Sequence, residues 1–116
     1  MLIRVDPGSS VPLFEQVAAS VRTALTTGDA VVGERLPSAR ELAASLDMNV
    51  HTVLHAYQLL RDEGLVELRR GRGAIITGGA GGVAELTAHV EALVIEARRL
   101  GVGAATLSAL ITKVYS

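Results

Sequence analysis

The sequence predicts a mainly α fold with one small β-hairpin, and three observations carry that prediction. Between residues 38 and 62 two short helical patterns, SARELAASL and NVHTVLHAYQLLRD, stand either side of a tight turn. Directly after them, two short apolar runs flank the arginine- and glycine-rich stretch RRGRG at 69–73, which has the form of a hairpin tip. Beyond GGAGG at 78–82, apolar residues recur three and four apart, as on a helix that packs against another. The expected organisation is an N-terminal winged helix-turn-helix at 1–77, a Gly-rich linker at 78–82 and a helical dimerisation segment at 83–116.

Taken in order, residues 2–5 (LIRV) predict a short strand before a turn at Asp6-Pro7-Gly8. A first helix is expected to start with Ser10 as its cap and Pro12 in its first turn. Its apolar stripe is Leu13, Val17, Val21 and Leu25, with Phe14 and Ala18 beside them, and Gly28 is its stop. Residues 28–36 read as a loop. A second helix opens at Ser38, with Glu41 three residues later in a capping-box pattern and Leu42, Ala43 and Leu46 facing inward. The chain turns at Asp47 and Met48, and Asn49 caps the third helix. On that helix Val50, Val53, Tyr57 and Leu60 form the buried stripe, flanked by Ala56. The opposite face carries His51, Thr52, His55, Gln58 and Asp62, and Gly64 ends the helix. Two strands follow, at 65–68 and 74–77. After the linker, Val83, Leu86, Val90, Leu93, Ala97 and Leu100 form a seam that Val94 and Ile95 widen. Gly101 and Gly103 interrupt before a last amphipathic helix with Leu107, Leu110, Ile111 and Val114. Two helices alone cannot bury this much apolar surface, so a symmetric dimer is expected, with Leu86, Val90, Leu93, Val94, Ala97, Leu100, Leu107 and Ile111 at its interface.

Composition narrows the function. The 116 residues hold no cysteine, which removes disulfides, thiolate metal sites and cysteine nucleophiles together. No apolar run approaches the ~20 residues that span a bilayer. The N-terminus lacks a basic region followed by an apolar core, so no secretory signal is expected and the cytoplasm is the expected location. No Ser/His/Asp order, phosphate-cradling loop or paired carboxylate suggests an enzyme, and no cofactor is called for. The net charge of −1 is unusual for a nucleic-acid binder. The arginines, however, cluster at 69–72 while Glu85, Glu91 and Glu96 lie in the C-terminal third.

A helix-turn-helix places its second helix in the DNA major groove, and an arginine hairpin suits the flanking phosphates. The candidate DNA-binding residues are therefore Ser38, Arg40, Asn49, His51, Thr52, His55, Arg69, Arg70, Arg72 and Gly73. Arg40 is read as a phosphate or base-edge contact, against a surface salt bridge to Glu41 or Glu34 as the plain alternative. Asn49 and Thr52 can donate to phosphates, and an Asn can pair with adenine. His51, Thr52 and His55 lead the recognition face. Arg69, Arg70 and Arg72 frame the wing, where Gly71 and Gly73 shape the tip. Tyr57 and Phe14 are read as core.

Two segments, LPSARELAASL and NVHTVLHAYQLLRDEGLVELRRGRG, resemble the DNA-binding domain of GntR-type bacterial transcription regulators. The short C-terminal helical pair is similar to the YtrA-like subfamily, whose members lack a large effector domain. The resemblance implies a homodimeric repressor of double-stranded DNA with a palindromic operator. It departs at two places. Val50 and Leu54 stand where many members carry arginine, and His51 and His55 stand where the subfamily often has Asn and Arg, so an operator sequence does not transfer from relatives.

Two other readings compete. His51 and His55, four apart on a helix, have the spacing of zinc ligands, but the Glu that usually follows the first His is absent and no third ligand is evident. A winged helix used as a protein-interaction module would suit the near-neutral charge, but leaves the arginine cluster unexplained. A small-molecule effector, if one acts, is expected between the subunits, where it would alter the spacing of the two recognition helices.

Overall fold

The computed structural model describes residues 2–70, 73–77 and 80–116. Helix α1 spans Leu13–Thr27 and buries Val17, Ala18, Val21, Ala24 and Leu25, the stripe its four-residue repeat dictates. Gly28 closes it at φ 83°, a left-handed conformation that suits a residue without Cβ. Its start differs from expectation. The N-cap is Pro12, which offers no side-chain oxygen, and Ser10 lies before it. Gln16 instead ties the helix to the turn before it. Its amide donates to the carbonyl oxygens of Asp6 and Val11 at 3.0 and 2.8 Å, and its Oε1 accepts the Asp6 N–H at 2.6 Å.

Residues 2–5 form no strand, because no strand lies beside them to pair with among the described residues. Ile3 is nevertheless buried in the core, and the Ser20 hydroxyl donates to the Arg4 carbonyl at 3.1 Å, so the segment is held by packing and one side chain.

Helix α2, Ala39–Leu46, is capped by Ser38, whose hydroxyl accepts the Glu41 N–H at 3.1 Å. It ends on Asp47 at φ 52°, a left-handed position that short polar side chains tolerate. After this turn Asn49 caps helix α3, Val50–Asp62, through its Oδ1 and the His51 N–H at 2.8 Å. Helix α3 buries Val53, Ala56, Tyr57 and Leu60 against α1 and α2. Burial of a side chain such as Val53 or Leu60 contributes about 1.5–3 kcal/mol relative to exposure. Arg22 of α1 forms a double hydrogen bond with the Glu63 carboxylate at the end of α3, clamping the two helices at that end.

Strands β1, Val66–Arg69, and β2, Gly73–Ile76, form an antiparallel pair in register Val66↔Ile76 and Arg69↔Gly73, shifted from the expected 65–68 and 74–77 by one residue. The expected loop at 28–36 carries more structure than its sequence suggested. Its last residues run along the outer edge of β2, with Gly33 N–H to Ile76 O at 2.8 Å, Ile76 N–H to Glu34 O at 2.9 Å and Leu36 N–H to Ala74 O at 2.8 Å. The hairpin thus gains a third, short partner that joins it to the start of α2.

By contacts the chain divides into two units, Met1–Ala84 and Glu85–Ser116. Ala80 and Val83 join the core of the first unit, and helix α4 spans Gly81–Arg99, so the last two residues of the expected 78–82 linker are helical. Gly78 and Gly79 lie outside the described residues. The second unit holds the rest of α4 and helix α5, Ala104–Tyr115, with Gly101 at φ 74° in the turn. Among the described residues no helix is long and apolar enough to cross a membrane.

Candidate nucleic-acid interface

Local capping sets the direction of both helices of the motif. Because the oxygens of Ser38 and Asn49 are used by their own helix starts, these two residues build the interface before they can contact anything else. The carbonyl of Pro37 accepts a 2.7 Å hydrogen bond from the buried Tyr57 hydroxyl, which ties the entry of α2 to the middle of α3. Burial, and then the nearby Glu41 charge, push that hydroxyl above its ordinary pKa, so it stays a neutral donor.

A cleft of about 480 Å³ opens between the α2 start, α3 and the hairpin. Ser38 and Arg40 line it from α2, Leu54 from α3, and Arg69, Arg70 and Gly73 from the hairpin. Five of the expected residues therefore meet around one concavity. Arg40 and Arg70 are exposed and form no ion pair among the described residues, so the alternative pairing of Arg40 with Glu41 or Glu34 is not made there. Arg69 reaches Glu67 on its own strand at 3.5 Å, which offsets part of its charge. Arg72 and Gly71, both expected at the tip, lie outside the described residues.

Gly73 is required by two independent constraints. Its φ is +74°, and a Cβ there would sit 3.1 Å from the Leu36 carbonyl oxygen and 3.2 Å from Ser38 backbone atoms. The hairpin can approach the α2 start this closely only with glycine at that point.

Asn49, His51, Thr52 and His55 stand on the first turns of α3, apart from the residues lining the cleft. His51 and His55 are exposed and Thr52 half-buried. Leu54, exposed on the same helix and lining the cleft, is not among the expected site residues, although it stands where many family members carry arginine. His55 has a partner outside the motif. Its ring stacks on Phe14 of α1 with centroids 4.1 Å apart and planes 20° from parallel. No group of three metal-ligating side chains occurs among the described residues, so the two histidines lack a third ligand there.

In the second unit Leu86, Val90, Leu93, Leu100 and Ile111 are exposed, Val94 and Leu107 half-buried, and Ala97 buried. Leu93, Leu107, Leu110, Ile111, Val114 and Tyr115 line an almost wholly apolar groove of about 300 Å³.

Comparison with known proteins places these parts in context. The pattern of bacterial regulatory proteins of the gntR family matches residues 13–76, the stretch from α1 to β2. The chain is 36% identical over 107 residues to the HTH-type transcriptional repressor YtrA of Bacillus subtilis (strain 168), covering 87% of this chain and 82% of that one. Among solved structures it resembles YtrA from Sulfolobus acidocaldarius, a GntR-family transcription factor, with TM-score 0.62 and 27% identity over 85% of this chain and 99% of that one. It shares its fold with AraR(DBD) in complex with operator ORX1, at TM-score 0.56 and 22% identity over 64% of this chain and 92% of that one.

Proposed function

Since the chain belongs to the gntR family of bacterial regulatory proteins, we propose that it is a homodimeric repressor that binds a palindromic operator through α3 and the hairpin. The family and the YtrA-type relatives are transcription regulators and not enzymes. One observation carries the reading: α3 presents exposed His51 and His55 on its first turns and, through Leu54, lines a cleft edged by Arg40 and Arg70. That geometry suits a helix start in the major groove with cations on the phosphates either side. AraR(DBD), of the same fold, has been solved in complex with operator DNA, which supports duplex DNA as the ligand.

In this reading residues 1–77 bind DNA and 83–116 dimerise. The exposed apolar residues Leu86, Val90, Leu93, Leu100 and Ile111, with the groove beside them, support a second copy as their cover. A two-fold dimer matches a two-fold operator. The relative from Bacillus subtilis is a repressor, which supports repression, and occlusion of polymerase at a promoter is the mode proposed for this chain. A regulator acting on operator DNA would work in the cytoplasm, the location this reading takes. An effector seated between subunits would act by changing the separation of the two α3 helices.

The test is duplex binding at two salt concentrations, alongside the mass of the free protein in solution. A dimeric mass and a steep loss of binding with salt are expected. A monomer, or binding indifferent to salt, contradicts the reading.

A further inference from the structure

Phe14 belongs to α1, outside the helix-turn-helix, yet its ring lies flat on His55 of α3 at 4.1 Å. Phe14 is half-buried and packs on the hydrophobic core, so its position is fixed from behind. His55 is otherwise exposed, on the same face as His51. An exposed histidine on a helix would normally sample several ring orientations, and ordering it on binding would cost affinity. The stack removes that freedom beforehand. It also covers one face of the imidazole, leaving the ring edge with its two nitrogens for hydrogen bonding.

We infer that Phe14 is a positioning residue for operator readout, holding the His55 imidazole in one plane so that its edge discriminates at a single base pair. The inference rests on the reading of α3 as the recognition helix. It makes the first turn of α1 part of the specificity apparatus. The edge nitrogens can donate to the N7 or O6 acceptors that guanine presents in the major groove, or accept from an exocyclic amine. Aromatic pairs in general are worth about a two- to twelvefold effect in double-mutant cycles.

The experiment measures binding of the full chain to its selected duplex and to every single-base variant of it, with urea unfolding as a check on the fold. The proteins are wild type, Phe14→Leu, Phe14→Tyr, His55→Phe, His55→Ala and the Phe14→Leu/His55→Ala pair. His55→Phe keeps the stack and loses the nitrogens, so discrimination at one base pair should vanish while the fold persists. Phe14→Leu should weaken discrimination at that same base pair by about two- to tenfold and leave binding to unrelated duplexes unchanged. Phe14→Tyr should restore it, and Phe14→Leu should add nothing once His55 is alanine. The inference is overturned if Phe14→Leu leaves all base preferences intact. It is equally overturned if that variant weakens every duplex alike together with stability, which would make the stack a structural brace only. If wild type discriminates and His55→Ala changes no position, this inference alone falls. If wild type prefers no duplex at all, the proposed function falls first.

Discussion

The hydroxyl of Tyr57 donates a 2.7 Å hydrogen bond to the carbonyl oxygen of Pro37, joining the centre of α3 to the residue before the α2 cap. The relationship sets the angle at which Ser38 and Arg40 meet the hairpin, since Pro37 cannot shift without carrying the α2 start with it. Tyr57→Phe removes the donor and leaves a partly buried carbonyl without it. A loss of about 1 kcal/mol is expected, read as a lower urea midpoint at unchanged slope.

The same hydroxyl gives stability a pH dependence at the alkaline end. Burial first, and the Glu41 charge second, raise its pKa in the folded chain. In the unfolded chain it titrates near its ordinary value of about 10. Below that pH both states hold the proton and stability is unaffected by it. As pH rises above about 10, the unfolded state alone releases the proton, so stability falls. Tyr57→Phe should flatten this alkaline limb of the unfolding profile.

Gly73→Ala should destabilise the hairpin by about 1–3 kcal/mol. The positive φ is strained for any L side chain, and the new Cβ would press on backbone atoms of Leu36 and Ser38, which cannot rotate away. Urea unfolding measures the loss, and DNA binding should weaken with it because the same contact holds the hairpin beside α2.

Arg70→Ala should weaken binding to all duplexes alike and lower the slope of log affinity against log salt by about one unit per subunit. The arginine is exposed, at the rim of the cleft, with no ion pair among the described residues, so its removal should leave unfolding unchanged. A loss confined to one base position would mean that it reads bases.

Leu93→Asp and Ile111→Asp should each shift the chain towards monomer, because a charge placed in an apolar interface is strongly disfavoured. Both residues line the apolar groove of the second unit and are exposed in a single copy. Mass in solution measures the shift, and operator affinity should fall in step with it.

Much of this architecture is legible in the sequence because it is set by local chemistry. Ser38, Asn49, Gly28 and Gly64 mark helix ends by the groups they supply within a few residues, and the structure uses each of them so. The parts that were not legible depend on distant partners. α1 starts at Pro12 with no side-chain cap, and Gln16 holds the preceding turn by reaching back to Asp6 and Val11. Residues 33–36 pair with β2 although the segment has no alternating pattern and runs into Pro37. Residues 2–5 have strand-like composition but find no strand to join. Within the interface, the gathering of Arg40, Arg69 and Arg70 follows from the order of elements. The Phe14–His55 stack joins two helices whose sequences carry no sign of it.

Selection of bound duplexes from a random-sequence pool by the purified protein tests the central claim most directly. The account predicts enrichment of an inverted repeat whose half-sites are centred about one helical turn, ~34 Å, or a small multiple of it apart. Recovery of no preferred sequence, or of an unrepeated site bound by a single copy, would contradict it.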